Sequence, residues 1–85
     1  MFWLTTCPHC NYQGRLVVMN DLTRNRLYLH CEECESGWVD PGHVSDPSAR
    51  FLTLNEDFDA DPATEDEIRQ HGWPITGLRR VVDAS

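Results

Sequence analysis

The sequence predicts a small, mainly-β fold: a three-stranded antiparallel sheet within residues 1–42, followed by an α+β extension over residues 43–85 that contains one short helix. Three observations lead there. Two Cys-x-x-Cys pairs, Cys7-Pro8-His9-Cys10 and Cys31-Glu32-Glu33-Cys34, stand twenty residues (11–30) apart. Between them the chain alternates in strand fashion around a polar turn. Further on, a Thr64-x-x-Glu67 capping box marks the start of a helix.

The cysteine pairs organise everything else. Each is a tight turn that aims two sulfurs at one point, and four thiolates around one point form the tetrahedral cage that zinc prefers. The reading is one structural zinc on Cys7, Cys10, Cys31 and Cys34, with no cysteine left over. Two disulfides are the formal alternative, but a disulfide inside a Cys-x-x-Cys pair is a redox centre, and that motif belongs in a βαβ context absent here. Iron is the closest rival, because tetrahedral thiolate cages hold it too. Chains this short have thin cores, and a structural zinc supplies on the order of 10 kcal/mol of apparent binding energy, so the metal-free form of residues 1–42 is expected to be largely unfolded.

The strands are expected in order. Phe2 to Thr6 is a short strand leading into the first turn, its aromatic and β-branched residues suiting it. Gly14 to Met19 follows, with Leu16 and Val18 on one face and Arg15, Val17 and Met19 on the other. Asn20 to Asn25 is a polar turn. Arg26 to His30 returns, with Leu27 and Leu29 opposite to Arg26, Tyr28 and His30. Gly37-Trp38-Val39 is the closing strand, ended by Asp40-Pro41-Gly42.

Metal turn, hairpin, metal turn, closing strand: over residues 1 to about 40 this resembles the zinc-ribbon family. The resemblance implies Cys7, Cys10, Cys31 and Cys34 as ligands. It does not imply one function, since ribbons serve transcription, ribosomes, enzymes and protein docking. Ribbons of the transcript-cleavage type carry an adjacent acidic pair at the hairpin tip, where this chain has only Asp21 beside Leu22. Rubredoxins are similar at Cys7-Pro8-His9-Cys10, but usually place glycine after the second cysteine, where Asn11 and Glu35 stand here.

Residues around the cage read as support. His9 and His30 flank ligands but are not needed in a four-cysteine shell. Backbone N–H groups of each turn should donate to the sulfurs. Glu32, Glu33 and Glu35 are a solvated acidic rim, or a contact for a basic partner. Trp3, Tyr28 and Trp38 suit base stacking in principle, but residues 1–45 hold only Arg15, Arg24 and Arg26 against five acids, so packing is favoured.

In the extension, residues 43–50 form a connector and Phe51 to Leu54 a brief strand. Asp61-Pro62 and Thr64-x-x-Glu67 are both good helix starts, placing a helix at about 63–71 that Gly72 ends, with Ile68 and Trp73 as anchors. Residues 75–82 suggest a last strand. The extension should pack on the ribbon as one domain.

Charge frames the functional classes. Seven arginines and no lysine face fourteen acids, for a formal charge of −7. Such a chain repels phosphate backbones unless its bases cluster. Residues 55–67 carry seven acids and no base; the helix dipole accounts for Glu65, Asp66 and Glu67. Glu56, Asp57, Phe58, Asp59 and Asp61 remain; the plain reading of such a charge run is a solvated loop, and the functional one is a candidate surface for a basic protein, with Phe58 as an apolar anchor. The expected function is therefore a non-catalytic, acidic protein-binding module that neutralises or docks on a basic partner, as toxin-immunity proteins do. The alternative is a nucleic-acid- or transcription-linked ribbon. A catalytic zinc needs an open position, which four cysteines close, so no enzyme is expected. Met1-Phe2-Trp3-Leu4 lacks the basic start and apolar run of a secretory leader, and no stretch approaches the ~20 apolar residues of a membrane span. Thiols in a metal cage fit a reducing compartment, with the cytoplasm as the expectation.

Overall fold

A computed structural model describes residues 2–53, 59–73 and 77–80. The hairpin between the two cysteine pairs is its spine: β2 (Arg15–Asp21) and β3 (Arg26–Cys31) pair antiparallel along their whole length, Leu16 opposite Cys31 and Asp21 opposite Arg26. Asp21 makes the turn. Its carboxylate is fully buried and accepts from the Thr23 and Arg24 N–H groups at 3.1 and 3.0 Å. The Arg24 and Arg26 guanidiniums donate to its other oxygen at 3.1 and 3.2 Å. The polar tip is thus shorter than expected, since Asn20 and Asp21 extend the strand.

β1 (Phe2–Thr6) and β4 (Ser36–Trp38) flank the hairpin, on β2 and β3 respectively. Three strands were expected, but the sheet is larger. β5 (Phe51–Leu52) adds to β4, and β7 (Arg79–Arg80) adds to β1. The order is therefore β5-β4-β3-β2-β1-β7, with every pairing antiparallel. β6 (Ala60–Pro62) pairs with Met19 to Asp21 of β2, on the edge that β1 leaves free beyond Val17. β5 and β7 fall within the stretches expected to be strands, 51–54 and 75–82; β6 was not expected, and its three residues are too few for alternation to reveal.

Period-2 alternation gives the sheet two faces. On the inner face Leu16, Val18, Leu27, Leu29 and Trp38 form the core with Cys7, Cys31, Ala63 and Ile68. On the outer face Val17 and Tyr28 are also buried, and the Tyr28 ring lies 5.8 Å from Phe51. Phe51 crosses over Gly37, where an added Cβ would meet its ring at 2.6 Å. The glycine lets an aromatic from the next strand stand in for its own side chain.

α1 (Glu65–Gln70) closes the inner face through Ile68, which is fully buried. Thr64 caps it, and the reciprocal bonds of the expected box are both present, Glu67 N–H to Thr64 Oγ1 at 3.2 Å and Thr64 N–H to Glu67 Oε1 at 2.9 Å. Asp61-Pro62 is not a helix start, contrary to expectation. It belongs to β6, and the Ala63 N–H continues that ladder to the Val18 carbonyl at 3.0 Å. Pro62 has no N–H to donate, which suits so short a strand on a split edge. At the C-terminus of α1 Gly72 takes φ 77° while the Gly72 and Trp73 N–H groups return to the Arg69 and Ile68 carbonyls, a Schellman close with Trp73 packed against the core to which Ile68 belongs. The connector over 43–50 holds part of the 3₁₀ turn Pro41–His43 and all of Pro47–Ala49. Of the strands expected over 51–54 and 75–82, residues 54, 75–76 and 81–82 lie outside the described residues.

Candidate metal centre

Both hairpin-side strands end at a ligand. β1 carries a bulge, with Trp3 opposite Val17 but Thr6 opposite Arg15. The extra residue bends the strand end, so that Cys7 enters the core fully buried. The Cys7 N–H then closes on the Gly14 carbonyl at 2.7 Å, and the Tyr12 N–H on the Cys7 carbonyl at 2.8 Å. β3 ends on Cys31 itself, and the Glu35 N–H returns to its carbonyl at 3.2 Å.

Asn11, Tyr12 and Glu35 have positive φ, at 59°, 63° and 59°. The residue after each second cysteine is therefore left-handed, the conformation glycine takes without strain. Asn and Glu make the same turn at roughly 1 kcal/mol each, so the missing glycines do not separate this site from an iron-type knuckle.

Sulfur geometry is the main observation. Cys7 Sγ lies 3.8 Å from Cys34 Sγ, and Cys10 Sγ 3.6 Å from Cys31 Sγ. All four sulfurs lie within 4.8 Å of one another, and none is in a disulfide. A tetrahedron with metal–sulfur bonds of about 2.3 Å has edges of about 3.8 Å, whereas a disulfide needs about 2.05 Å. Both of these edges run between the two knuckles. The four cysteines can thus hold one metal ion at their centre.

Gly14 makes this approach possible. A Cβ there would sit 2.5 Å from Cys31 Sγ and 3.0 Å from the Glu33 side chain. Burial pushes the Cys31 thiol up to about 12, and Cys7 up as well, despite N–H donation from their knuckles. Buried sulfurs resist carrying charge alone, and a divalent cation at the centre removes that objection. Cys34 differs. Burial raises it too, but the Ser36 hydroxyl and N–H outweigh that and bring it down to about 7. The Cys34 N–H itself points at Cys31 Sγ at 3.4 Å.

The neighbours expected to be peripheral are so. His9 is exposed, and His30 Nε2 lies 2.6 Å from Glu35 Oε2; neither joins the sulfur cluster. Glu32 pairs with Arg15 at 2.9 Å and Glu33 is exposed, so one acid of the three is unpaired by any described contact. Trp38 and Tyr28 are buried. Trp3 is half-buried, with the Arg15 and Arg79 guanidiniums 5.7 and 5.2 Å from its ring. Ser36, whose Oγ lies 3.2 Å from Cys34 Sγ, and Arg50, which donates to that Oγ, are not legible in the sequence as parts of the site. No pattern marks a serine two residues beyond a ligand or an arginine in a connector.

Two residues of the candidate partner surface, Asp59 and Asp61, lie away from the cage. Asp59 and Asp61 are exposed. Asp59 is tied to the hairpin turn through its N–H to Thr23 Oγ1 at 3.0 Å and its carbonyl to the Leu22 N–H at 2.8 Å. Glu56, Asp57 and Phe58 lie outside the described residues. β6 meets β2 near its far end: Asp61 pairs with Asn20, whereas Cys31 pairs with Leu16, positions about 13 Å apart along the strand.

No protein-family model matches the chain, and neither do curated proteins or solved structures. Among the described residues no helix is long and apolar enough to cross a membrane.

Proposed function

We propose that this chain is a zinc-ribbon protein in which one structural zinc, on Cys7, Cys10, Cys31 and Cys34, staples a non-catalytic, acidic module that docks on a basic protein and neutralises or recruits it. The carrying observation is the closed sulfur shell: four thiolates within 4.8 Å of one another leave no position for water or substrate. A formal charge of −7, made two units more negative by four thiolates and one Zn²⁺, favours a basic partner. Asp59 and Asp61 belong to the candidate contact. Zinc is preferred to iron because it carries no redox chemistry for which this chain would need a partner site.

A second reading has one observation in its favour. Arg15 and Arg79 lie beside Trp3, and Arg26 lies 5.9 Å from the Phe51 ring, so arginines and aromatics do interleave on the outer face. A nucleic-acid ribbon would use such a face. Against it, Arg15 and Arg26 are each committed to a carboxylate, Glu32 and Asp21.

Elemental analysis should find one zinc per chain. Pull-down from the native host should recover a basic protein whose binding weakens in an Asp59→Asn, Asp61→Asn double variant. Tight, salt-sensitive binding of the zinc-loaded protein to RNA or DNA would overturn the docking reading.

A further inference from the structure

We propose that Ser36 and Arg50 are positioning residues for the metal, holding the Cys34 thiolate in place through a two-step hydrogen-bond relay. The proposal rests on the reading that the cage holds a metal. Ser36 is fully buried, with its Oγ 3.2 Å from Cys34 Sγ. The Arg50 Nη1 donates to the same Oγ at 3.1 Å.

A hydroxyl has one proton and two lone pairs. With one lone pair taken by a cation that can only donate, the Ser36 hydroxyl keeps one lone pair and its proton for the sulfur, so it accepts from the Cys34 thiol and donates to a thiolate. A metal-bound thiolate has no proton, so the serine must be the donor there. The charge on Arg50 strengthens the chain, because hydrogen bonds tied to an ionised group are the stronger kind.

Only one ligand is served this way among the described residues. Two positions beyond Cys10, where Ser36 would have its counterpart, stands Tyr12, which is 63% exposed. Cys10 and Cys34 are the partly exposed ligands, the sulfurs a competing chelator reaches first. The relay therefore protects one of the two exposed bonds. It also joins the extension to the cage: Arg50 directly precedes β5, which pairs through Leu52 with Ser36.

The test uses the full chain loaded with zinc, and separately with Co²⁺. Zinc transfer to excess EDTA should be about tenfold faster in Ser36→Ala, as removal of such supporting partners generally costs 10- to 100-fold. Arg50→Met should be several-fold faster, Arg50→Lys should restore most of the loss, and the surface variant Arg69→Met should match the parent. Because Arg50 acts through Ser36, the double variant should be no faster than Ser36→Ala alone. In the Co²⁺ form the sulfur-to-metal charge-transfer band should move to longer wavelength in Ser36→Ala and Arg50→Met, which a merely structural role would not cause. Transfer rates within twofold of the parent, an unmoved band, or additive effects would each overturn the proposal. Should Ser36→Ala not fold, Arg50→Met tests the relay with the buried serine intact. A parent that takes up no metal would overturn the metal reading, a result distinct from unaffected variants of a loaded parent.

Discussion

Gly14→Ala should break the metal site while adding only one methyl group. The new Cβ would lie 2.5 Å from Cys31 Sγ and 3.0 Å from both Cβ and Cγ of Glu33. Ordinary contact is about 3.5–4.0 Å, so sulfur and backbone must separate by on the order of 1 Å. Glu33 is exposed and can yield. Cys31 is fully buried, and a ligand distance tolerates only about 0.2 Å. The Gly14 carbonyl also holds the Cys7 N–H at 2.7 Å, so a retreat of residue 14 moves a second ligand. If a structural zinc contributes about 10–16 kcal/mol through four bonds, weakening one removes about 3 kcal/mol, a factor of roughly 100 in affinity. Competition for zinc against a chromophoric chelator measures this directly. A Gly14→Ala protein that binds zinc within threefold of the parent would refute the claim that this close approach sets the cage.

Other consequences are as concrete. Asp21→Asn should cost about 2 kcal/mol, because it replaces charge-assisted bonds to Arg24 and Arg26, half-exposed partners whose contribution solvent already screens; urea titration reads it. Burial alone would raise the Asp21 carboxyl, but the Arg24 N–H and the two guanidiniums hold it below 3.8, so its stabilisation is complete above that value and is lost as pH falls through the lower folded one. The parent but not the variant should show this acid-side loss. Metal uptake should weaken as pH falls, since Cys7 and Cys31 hold their protons above the ordinary thiol value of 9.0 and must release them; zinc affinity that stays flat between pH 8 and 6 would contradict this. Thr64→Ala should lower stability by about 1 kcal/mol through loss of the cap on α1, visible as a lower melting temperature with zinc content unchanged.

The parts legible in the sequence are those that local rules dictate. The cysteine spacing places four sulfurs together, and alternation over 15–19 and 26–30 separates Leu16 and Leu29 from Val17 and Tyr28 correctly. The capping box outranks Asp61-Pro62 because it satisfies two N–H groups reciprocally, while Pro62 is drawn into the ladder on β2. What stayed hidden is non-local. The three-residue β6 forms because β2 offers it the edge that β1 leaves free beyond Val17. Left-handed Glu35 is hidden for a related reason: its residue type does not call for that backbone, which Asn11 tolerates more readily, and the fold imposes it. Ser36 joins the cage only because β4 turns it inward, and Arg50 only because β5 lies alongside.

Among the described residues, Asp59 and Asp61 are therefore joined to the cage only through the sheet. Cys31 ends β3 opposite Leu16, while Asp61 pairs with Asn20 near the hairpin turn. Screening within about 8–10 Å at physiological salt keeps the charge at one end from acting on a partner at the other. Metal should thus govern docking through folding alone. Replacing zinc with Co²⁺, another ion that suits a tetrahedral sulfur cage, should leave affinity for the basic partner within twofold, whereas chelation should abolish it together with the native circular dichroism. Affinity that changes with metal identity in a protein whose fold is intact would place the metal end in the interface and move the docking surface from Asp59 and Asp61 to the knuckles.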